Sequence, residues 1–73
     1  MSHLKDARIA AGLSQSALAQ QSGVNVRMLQ YYEQGAKSID GARLETLAAL
    51  ARALGCGLSA ILEDPDILRD VKI

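Results

Sequence analysis

The chain of 73 residues contains no phenylalanine and no tryptophan, and only one histidine, one cysteine and one proline. His3 is the only imidazole, and the sequence has no glycine-rich phosphate loop and no cysteine–histidine ligand group. These absences leave no residue set for catalysis, for a metal or for a cofactor, so we expect a protein that is not an enzyme. Cys56 has no cysteine to pair with, which is typical of a reducing compartment, and it is expected to be a small buried apolar residue rather than a redox or ligand residue.

Long apolar runs are also missing. No run approaches the roughly 20 residues that a membrane-spanning helix needs, and no charged-then-apolar leader opens the sequence, so we expect a cytoplasmic protein with no membrane partner. Seventy-three residues make one domain at most. Leucine and alanine supply nearly a third of the chain, whereas β-branched residues rarely form runs, so the composition favours an all-α domain over a sheet.

Net charge is absent as well, which at first argues against nucleic acid as a partner, because DNA-binding domains usually carry a basic excess. The distribution is uneven, however. Residues 1–62 hold six basic and four acidic side chains, and residues 63–73 hold two basic and four acidic ones. We therefore divide the chain into a mildly positive domain, residues 1–62, and an acidic tail, residues 63–73. The small positive surplus predicts weak nonspecific affinity for DNA, so useful affinity would need a dimer.

Residues 14–35 are the most informative stretch and predict two short helices joined by a tight turn. Ser14 and Asn25 are good N-cap residues, since their side-chain oxygens can accept from an orphan amide one turn into each helix. Gly23 tolerates positive φ and can end the first helix, and Gly35 can end the second.

The side chains of this stretch predict how the two helices pack. Ala19 provides the small side chain that a close crossing needs, and Val24, Leu29 and Tyr32 can bury against Leu18. This is the helix-turn-helix arrangement, whose second helix can enter a DNA major groove.

Residues 4–62 resemble the helix-turn-helix domain of phage repressor and Cro proteins, the XRE-type regulators. The matching pieces are Leu-Lys-Asp-Ala-Arg at 4–8, Gly-Leu-Ser-Gln at 12–15, Leu-Ala at 18–19, Ser-Gly-Val-Asn at 22–25, Tyr-Glu-Gln-Gly at 32–35, Leu-Glu-Thr-Leu at 44–47, Ala-Leu-Gly at 53–55 and Leu-Ser-Ala-Ile-Leu at 58–62. The resemblance implies a compact, five-helix, lambda-repressor-like domain with a short C-terminal extension.

Three further helices are predicted around the central pair. Ser2 can cap a first helix that runs to about Ala11, although the residues before helix 1, His3 included, are expected to fray. The fourth helix is expected roughly from Gly41 to Leu54 with Asp40 as its N-cap, and residues 58–62 give a short fifth helix. The inward stripe of the fourth helix consists of Leu44, Leu47, Ala48, Ala51 and Leu54.

The tail opens with Asp64 and Pro65, which is typical of a helix start. Its apolar residues Ile67, Leu68 and Val71 either fold back on the domain or cover a partner, so the tail is a possible dimer contact.

Three residues of the second helix of the pair are expected to contact bases. Arg27, in the first turn, can reach guanine O6 and N7, with a phosphate contact or plain solvation as alternatives. Val26 can make only apolar contact, most naturally with a thymine methyl group. Tyr31 lies one turn beyond Arg27 on the exposed side and can touch a base edge or donate to a phosphate, whereas Tyr32 is expected to be the buried tyrosine.

Four residues are expected to contact the DNA backbone. Gln15 begins the first helix of the pair, where its amide is expected to meet a phosphate at a helix N-terminus, with an ordinary surface glutamine as the alternative. Gln30 completes the outward face of the second helix together with Met28, which is unusual where the resembled family often has a small or polar residue. The resemblance places Lys37 beside the sugar-phosphate backbone, and Arg43 is a further candidate.

Arg8 shares the inward face of the first helix with alanines, where an unpaired charge would be costly unless the side chain reaches water. The resemblance implies an ion pair with Glu33, near the end of the second helix of the pair.

Two functions remain open. The first is a sequence-specific transcriptional regulator that binds a palindromic site in double-stranded DNA as a homodimer, and we favour a repressor over an activator. The second is a protein-interaction module on the same fold, such as an antitoxin or the partner of a regulator. The residues 29–33, Leu-Gln-Tyr-Tyr-Glu, also resemble the mercury-resistance type of regulator, in which a β-wing follows the helix-turn-helix.

Overall fold

The computed structural model describes residues 2–64, in which four α-helices and two short 3₁₀ turns follow one another without a strand. The helices are α1 (His3–Ala10), α2 (Gln15–Ser22), α3 (Val26–Gln34) and α4 (Leu44–Leu54), and the 3₁₀ turns span Ile39–Gly41 and Leu58–Ala60. The all-α class is confirmed, and the winged alternative is wrong, because the described residues after α3 contain no strand. None of the described helices is long and apolar enough to cross a membrane.

Local signals set the ends of the first three helices. The hydroxyls of Ser2 and Ser14 accept from backbone amides three residues further on, at 3.1 and 3.0 Å. The side chain of Asn25 accepts from the Arg27 amide at 2.8 Å, so each of these helices begins at the residue after its cap. Gly23 and Gly35 end α2 and α3 in the left-handed conformation, with φ of 75° and 80°.

The later part of the chain differs from the sequence prediction in two places. The fourth helix begins at Leu44 rather than near Gly41, because Ala42 and Arg43 are extended and Asp40 lies in a 3₁₀ turn. Asp40 therefore does not cap α4. The predicted fifth helix is only the 3₁₀ turn Leu58–Ala60, so the described residues contain four α-helices instead of five.

The core is built of aliphatic side chains from every helix. Its buried members are Leu4, Leu18, Leu29, Ile39, Leu47, Leu50, Ala51, Ile61 and Leu62. Leu44, which was expected to face inward, is 50% exposed. It has the right helical phase, but it is the first residue of α4, and side chains of a helix tilt towards its N-terminus, so Leu44 points beyond the core.

Helix packing holds α3 from two sides. The helix α2 packs against both α3 and α4, and α1 packs against α3 and the second 3₁₀ turn. The inward residues of α3 therefore meet two other helices.

The two ends of the described chain meet. The backbone amide of His3 donates to Glu63 Oε1 at 2.8 Å, and its ring Nδ1 lies 2.7 Å from the Leu62 carbonyl oxygen. Because a carbonyl oxygen only accepts, Nδ1 carries the proton of this bond. The expectation of a frayed start is thus wrong for Ser2, which is 8% exposed, and for His3. The expected helix and dimer contact of residues 65–73 lie outside the described residues.

Candidate nucleic-acid interface

A three-residue turn between α2 and α3 fixes the direction of α3. The Gly23 amide donates to the Ala19 carbonyl at 2.9 Å and closes α2. Ser22 donates from its hydroxyl to the Leu18 carbonyl at 2.7 Å and accepts from the Val24 amide at 3.2 Å. The turn is therefore hydrogen-bonded along its length, which makes α2 and α3 one rigid unit.

The side chains of α3 divide into an anchored face and a free face. Leu29 is fully buried and Tyr32 packs against the core, whereas Val26 and Tyr31 are 36% and 37% exposed. Arg27 is exposed, and among residues 2–64 its guanidinium makes no ion pair or side-chain hydrogen bond. The structure thus presents an apolar, a cationic and a phenolic side chain, those of Val26, Arg27 and Tyr31, on the surface of one anchored helix.

Arg8 and Glu33 join α1 to the end of α3. Arg8 Nε and one terminal nitrogen donate to the two oxygens of Glu33 at 2.9 and 3.0 Å, and the other terminal nitrogen donates to the Leu13 carbonyl at 2.8 Å. The two side chains are 12% and 3% exposed. The hydrogen bonds to Glu33 raise the pKa of the Arg8 guanidinium; burial opposes this rise, and the charge of Glu33 adds to it.

Gln15 lies in the same cluster. Its Nε2 donates to Glu33 Oε1 at 3.2 Å, so one of its two N–H groups is already engaged. Glu33 therefore accepts from two residues and ties the first residue of α2 to the last turn of α3. Sequence reasoning placed Gln15 at a helix N-terminus but did not find this partner, which lies 18 residues away.

The remaining predicted backbone contacts lie around α3. Lys37 follows the end of α3 and is exposed, and its amide donates to the Tyr31 carbonyl at 3.2 Å, so the chain turns back over the helix there. Arg43 is the exposed residue before α4, and Gln30 is half-buried on α3.

A shallow depression beside the start of α3 adds one residue that the sequence did not suggest. Its lining includes Asn25, Met28, Arg43 and Thr46. Met28 and Arg43 were predicted near the interface, but Thr46 was not. The available signal was weak: Thr46 is a polar residue one turn after Arg43, beside Glu45 at the start of α4. No group of three or more histidine, cysteine, aspartate or glutamate side chains in residues 2–64 could hold a metal ion, and Cys56 is a half-buried free thiol.

A family model described as helix-turn-helix matches residues 4–61, nearly the span over which the sequence resembles XRE-type regulators. Comparisons with curated proteins and with solved structures found no match.

Proposed function

This chain belongs to the XRE-type helix-turn-helix family of DNA-binding regulators, and from that premise we propose that it is a transcriptional repressor that binds a palindromic operator as a homodimer. Each α3 would enter the major groove of one half-site, with the two half-sites about one helical turn apart. Such a protein acts where the chromosome lies, which we take to be the cytoplasm.

The observation that carries this proposal is the free face of α3. Arg27 is a cation with no partner in the described residues, on a helix whose other side is anchored by the fully buried Leu29. We assign Arg27 to the O6 and N7 atoms of a guanine, Val26 to a thymine methyl group and Tyr31 to a base edge. A rigid helix with these three groups outward loses little entropy when it enters a groove.

The backbone contacts surround that helix. Lys37 and Arg43 are exposed cations on the segments that follow α3 and precede α4, and we assign them to phosphates. Gln15 donates one N–H to Glu33 and has a second N–H for a phosphate, with its orientation set by the first bond. Gln30 is half-buried on the same helix as the base-reading residues and is assigned to the backbone as well.

Charge supports the homodimer. The six basic and four acidic residues of positions 1–62 give that part of each protomer a surplus of only two positive charges, and the whole protomer has no net charge. Since nonspecific affinity follows the number of phosphates neutralised, one protomer would bind weakly, and two linked protomers would bind through both half-sites at once.

A mobility-shift titration of the full chain on duplexes selected from a random pool, repeated at rising salt, tests the proposal. Arg27→Ala should relax the preference for one base pair and lose about five- to 150-fold in affinity for the selected site, since a bidentate arginine–guanine contact contributes about 1–3 kcal/mol. Lys37→Ala should weaken all sequences alike and lower the salt dependence by about one phosphate.

The outcomes separate the proposal from its alternative. Equal losses from Arg27→Ala and Lys37→Ala on every sequence would refute the roles assigned to them. No binding to any duplex at low salt by a chain shown to be dimeric would favour a protein-interaction module, such as an antitoxin or the partner of a regulator. The zero net charge of the whole chain is the observation in favour of that second function.

A further inference from the structure

Val26 and Arg27 are the first two residues of α3, and both are exposed. We propose that together they read one base step, a guanine beside a pyrimidine that carries a methyl group at C5, so that the protein distinguishes thymine from uracil and 5-methylcytosine from cytosine at that step. The inference rests on the proposed DNA-binding function and specifies the chemistry of its target.

The first element is the apolar group. Val26 is 36% exposed at the very start of the helix, so part of its side chain is open to a ligand. Its branched side chain is stiff about χ1 in a helix, so its two methyl groups point in a fixed direction. The only apolar group on a major-groove base edge is the C5 methyl of thymine, and 5-methylcytosine carries the same methyl at the same carbon.

The second element is the guanidinium next to it. The Arg27 backbone is held by the Asn25 side chain at 2.8 Å, which fixes where its side chain leaves the helix. Within residues 2–64 the guanidinium makes no ion pair that would have to break before it bonds guanine. Arginine to guanine O6 and N7 is the commonest specific base contact.

The two side chains, Val26 and Arg27, are adjacent in sequence. Consecutive residues of a helix lie 1.5 Å apart along its axis, whereas stacked bases are about 3.4 Å apart along a strand. Their side chains project about 100° apart, so both can reach neighbouring bases where the N-terminal end of the helix points into the groove. The step is thymine–guanine in ordinary DNA, read as TG on one strand and CA on the other, and 5-methylcytosine–guanine in methylated DNA.

The test begins with selection of duplexes from a random pool by the full chain. Each half-site should contain a TG step. Failure to enrich any duplex would contradict the proposed DNA-binding function itself, whereas enrichment of sites without the step would overturn this inference alone.

Removal or addition of one C5 methyl group in the selected site then measures what that methyl group contributes to affinity. Replacement of the step's thymine by uracil should weaken binding about fourfold per half-site, which is the effect of one buried methyl group. A CG step in its place should bind about fourfold more tightly when its cytosine is 5-methylated. Equal affinity for thymine and uracil would overturn the inference.

A pair of matched variants assigns the effect to Val26. In Val26→Ala the ratio of affinities for thymine and uracil should fall to about one. Ile9→Ala is the control, because Ile9 is also an exposed β-branched residue, 58% exposed, but lies on α1. It should keep the fourfold ratio. An unchanged ratio in Val26→Ala would show that another residue contacts the methyl group.

Discussion

Two glutamates join distant parts of this chain, and they do so in opposite surroundings. Glu33 is 3% exposed and binds Arg8, which is 12% exposed, whereas Glu63 is 40% exposed and faces His3, which is 47% exposed. The first pair has two charge-assisted hydrogen bonds at 2.9 and 3.0 Å; in the second, Glu63 Oε2 lies 4.0 Å from His3 Nδ1. The same carboxylate group therefore forms a short, buried contact in one place and a long, exposed contact in the other.

Burial decides the difference. A buried carboxylate cannot be left without its partner, so Arg8, Gln15 and Glu33 fix the relative positions of α1, α2 and α3. An exposed carboxylate can exchange its partner for water with little loss of free energy. Glu63 therefore contributes to stability mainly through the hydrogen bond that it accepts from the His3 backbone amide at 2.8 Å. The position of α3, which presents the free face, thus depends on the buried pair.

The largest expected effect comes from removing one member of the buried pair. Arg8→Met should lower the free energy of unfolding by about 3 kcal/mol, because it leaves the Glu33 carboxylate buried with only Gln15 as a donor. Urea denaturation followed by circular dichroism measures this value. The raised pKa of Arg8 means that its contribution is present throughout the neutral range and is lost as pH rises through its strongly alkaline folded-state pKa, so the loss should be the same at pH 6 and pH 8.

A double-mutant cycle provides the control for that prediction. Arg8→Met combined with Glu33→Gln removes both charges, so the double variant should be more stable than the sum of the single losses predicts, by about 1–3 kcal/mol. Additive losses would show that the two side chains do not stabilise each other.

Most of the helix-turn-helix could be predicted from the sequence because its signals are local. Ser14 and Asn25 accept from amides two or three residues away, and Gly23 and Gly35 adopt positive φ where the sequence indicated, so α2 and α3 have nearly their predicted bounds. The burial of Leu29 and the exposure of Tyr31 likewise follow from helical periodicity.

The remaining parts depend on partners that are distant in sequence. Asp40 is a residue type that is favoured at N-caps. Its carboxylate nevertheless accepts from the amides of Glu63 and Asp64, 23 and 24 residues away. Gln15 has the position of a phosphate ligand, but its amide also meets Glu33. His3 has the position of a frayed residue, but its ring is bonded to the Leu62 carbonyl. Nothing local distinguishes these outcomes, since each depends on which backbone groups the fold brings near.

Asp40 offers an intermediate case between the two glutamates. It is half-buried, and its two oxygens accept from two amides at 2.8 and 3.0 Å. Asp40→Ala should lower the free energy of unfolding by about 1–2 kcal/mol, since two backbone donors lose a charged acceptor. Asp40→Asn keeps one accepting oxygen and turns a donor towards the second amide, so its loss should be as large or slightly smaller.

Hydrogen exchange locates the effect of the Asp40 variants. The amides of Glu63 and Asp64 should exchange faster in both variants, while those of α2 and α3 keep their protection relative to global unfolding. Unchanged exchange at Glu63 and Asp64 would show that Asp40 does not hold the end of the described chain.

The smallest effect is expected at the exposed pair, and salt provides the sharpest contrast with the buried one. Glu63→Gln keeps an oxygen that can accept from the His3 amide and removes only the charge, so it should change the free energy of unfolding by less than about 1 kcal/mol, and by less still in 1 M salt, where exposed charges are screened. Glu63→Ala, which also removes the acceptor, should be the more destabilising of the two. The loss in Arg8→Met should persist in 1 M salt, because solvent ions do not reach a carboxylate that is 3% exposed. If salt reduced both losses in the same proportion, burial would not be what separates the two glutamates, and the positioning of α3 could not be assigned to the Arg8–Glu33 pair.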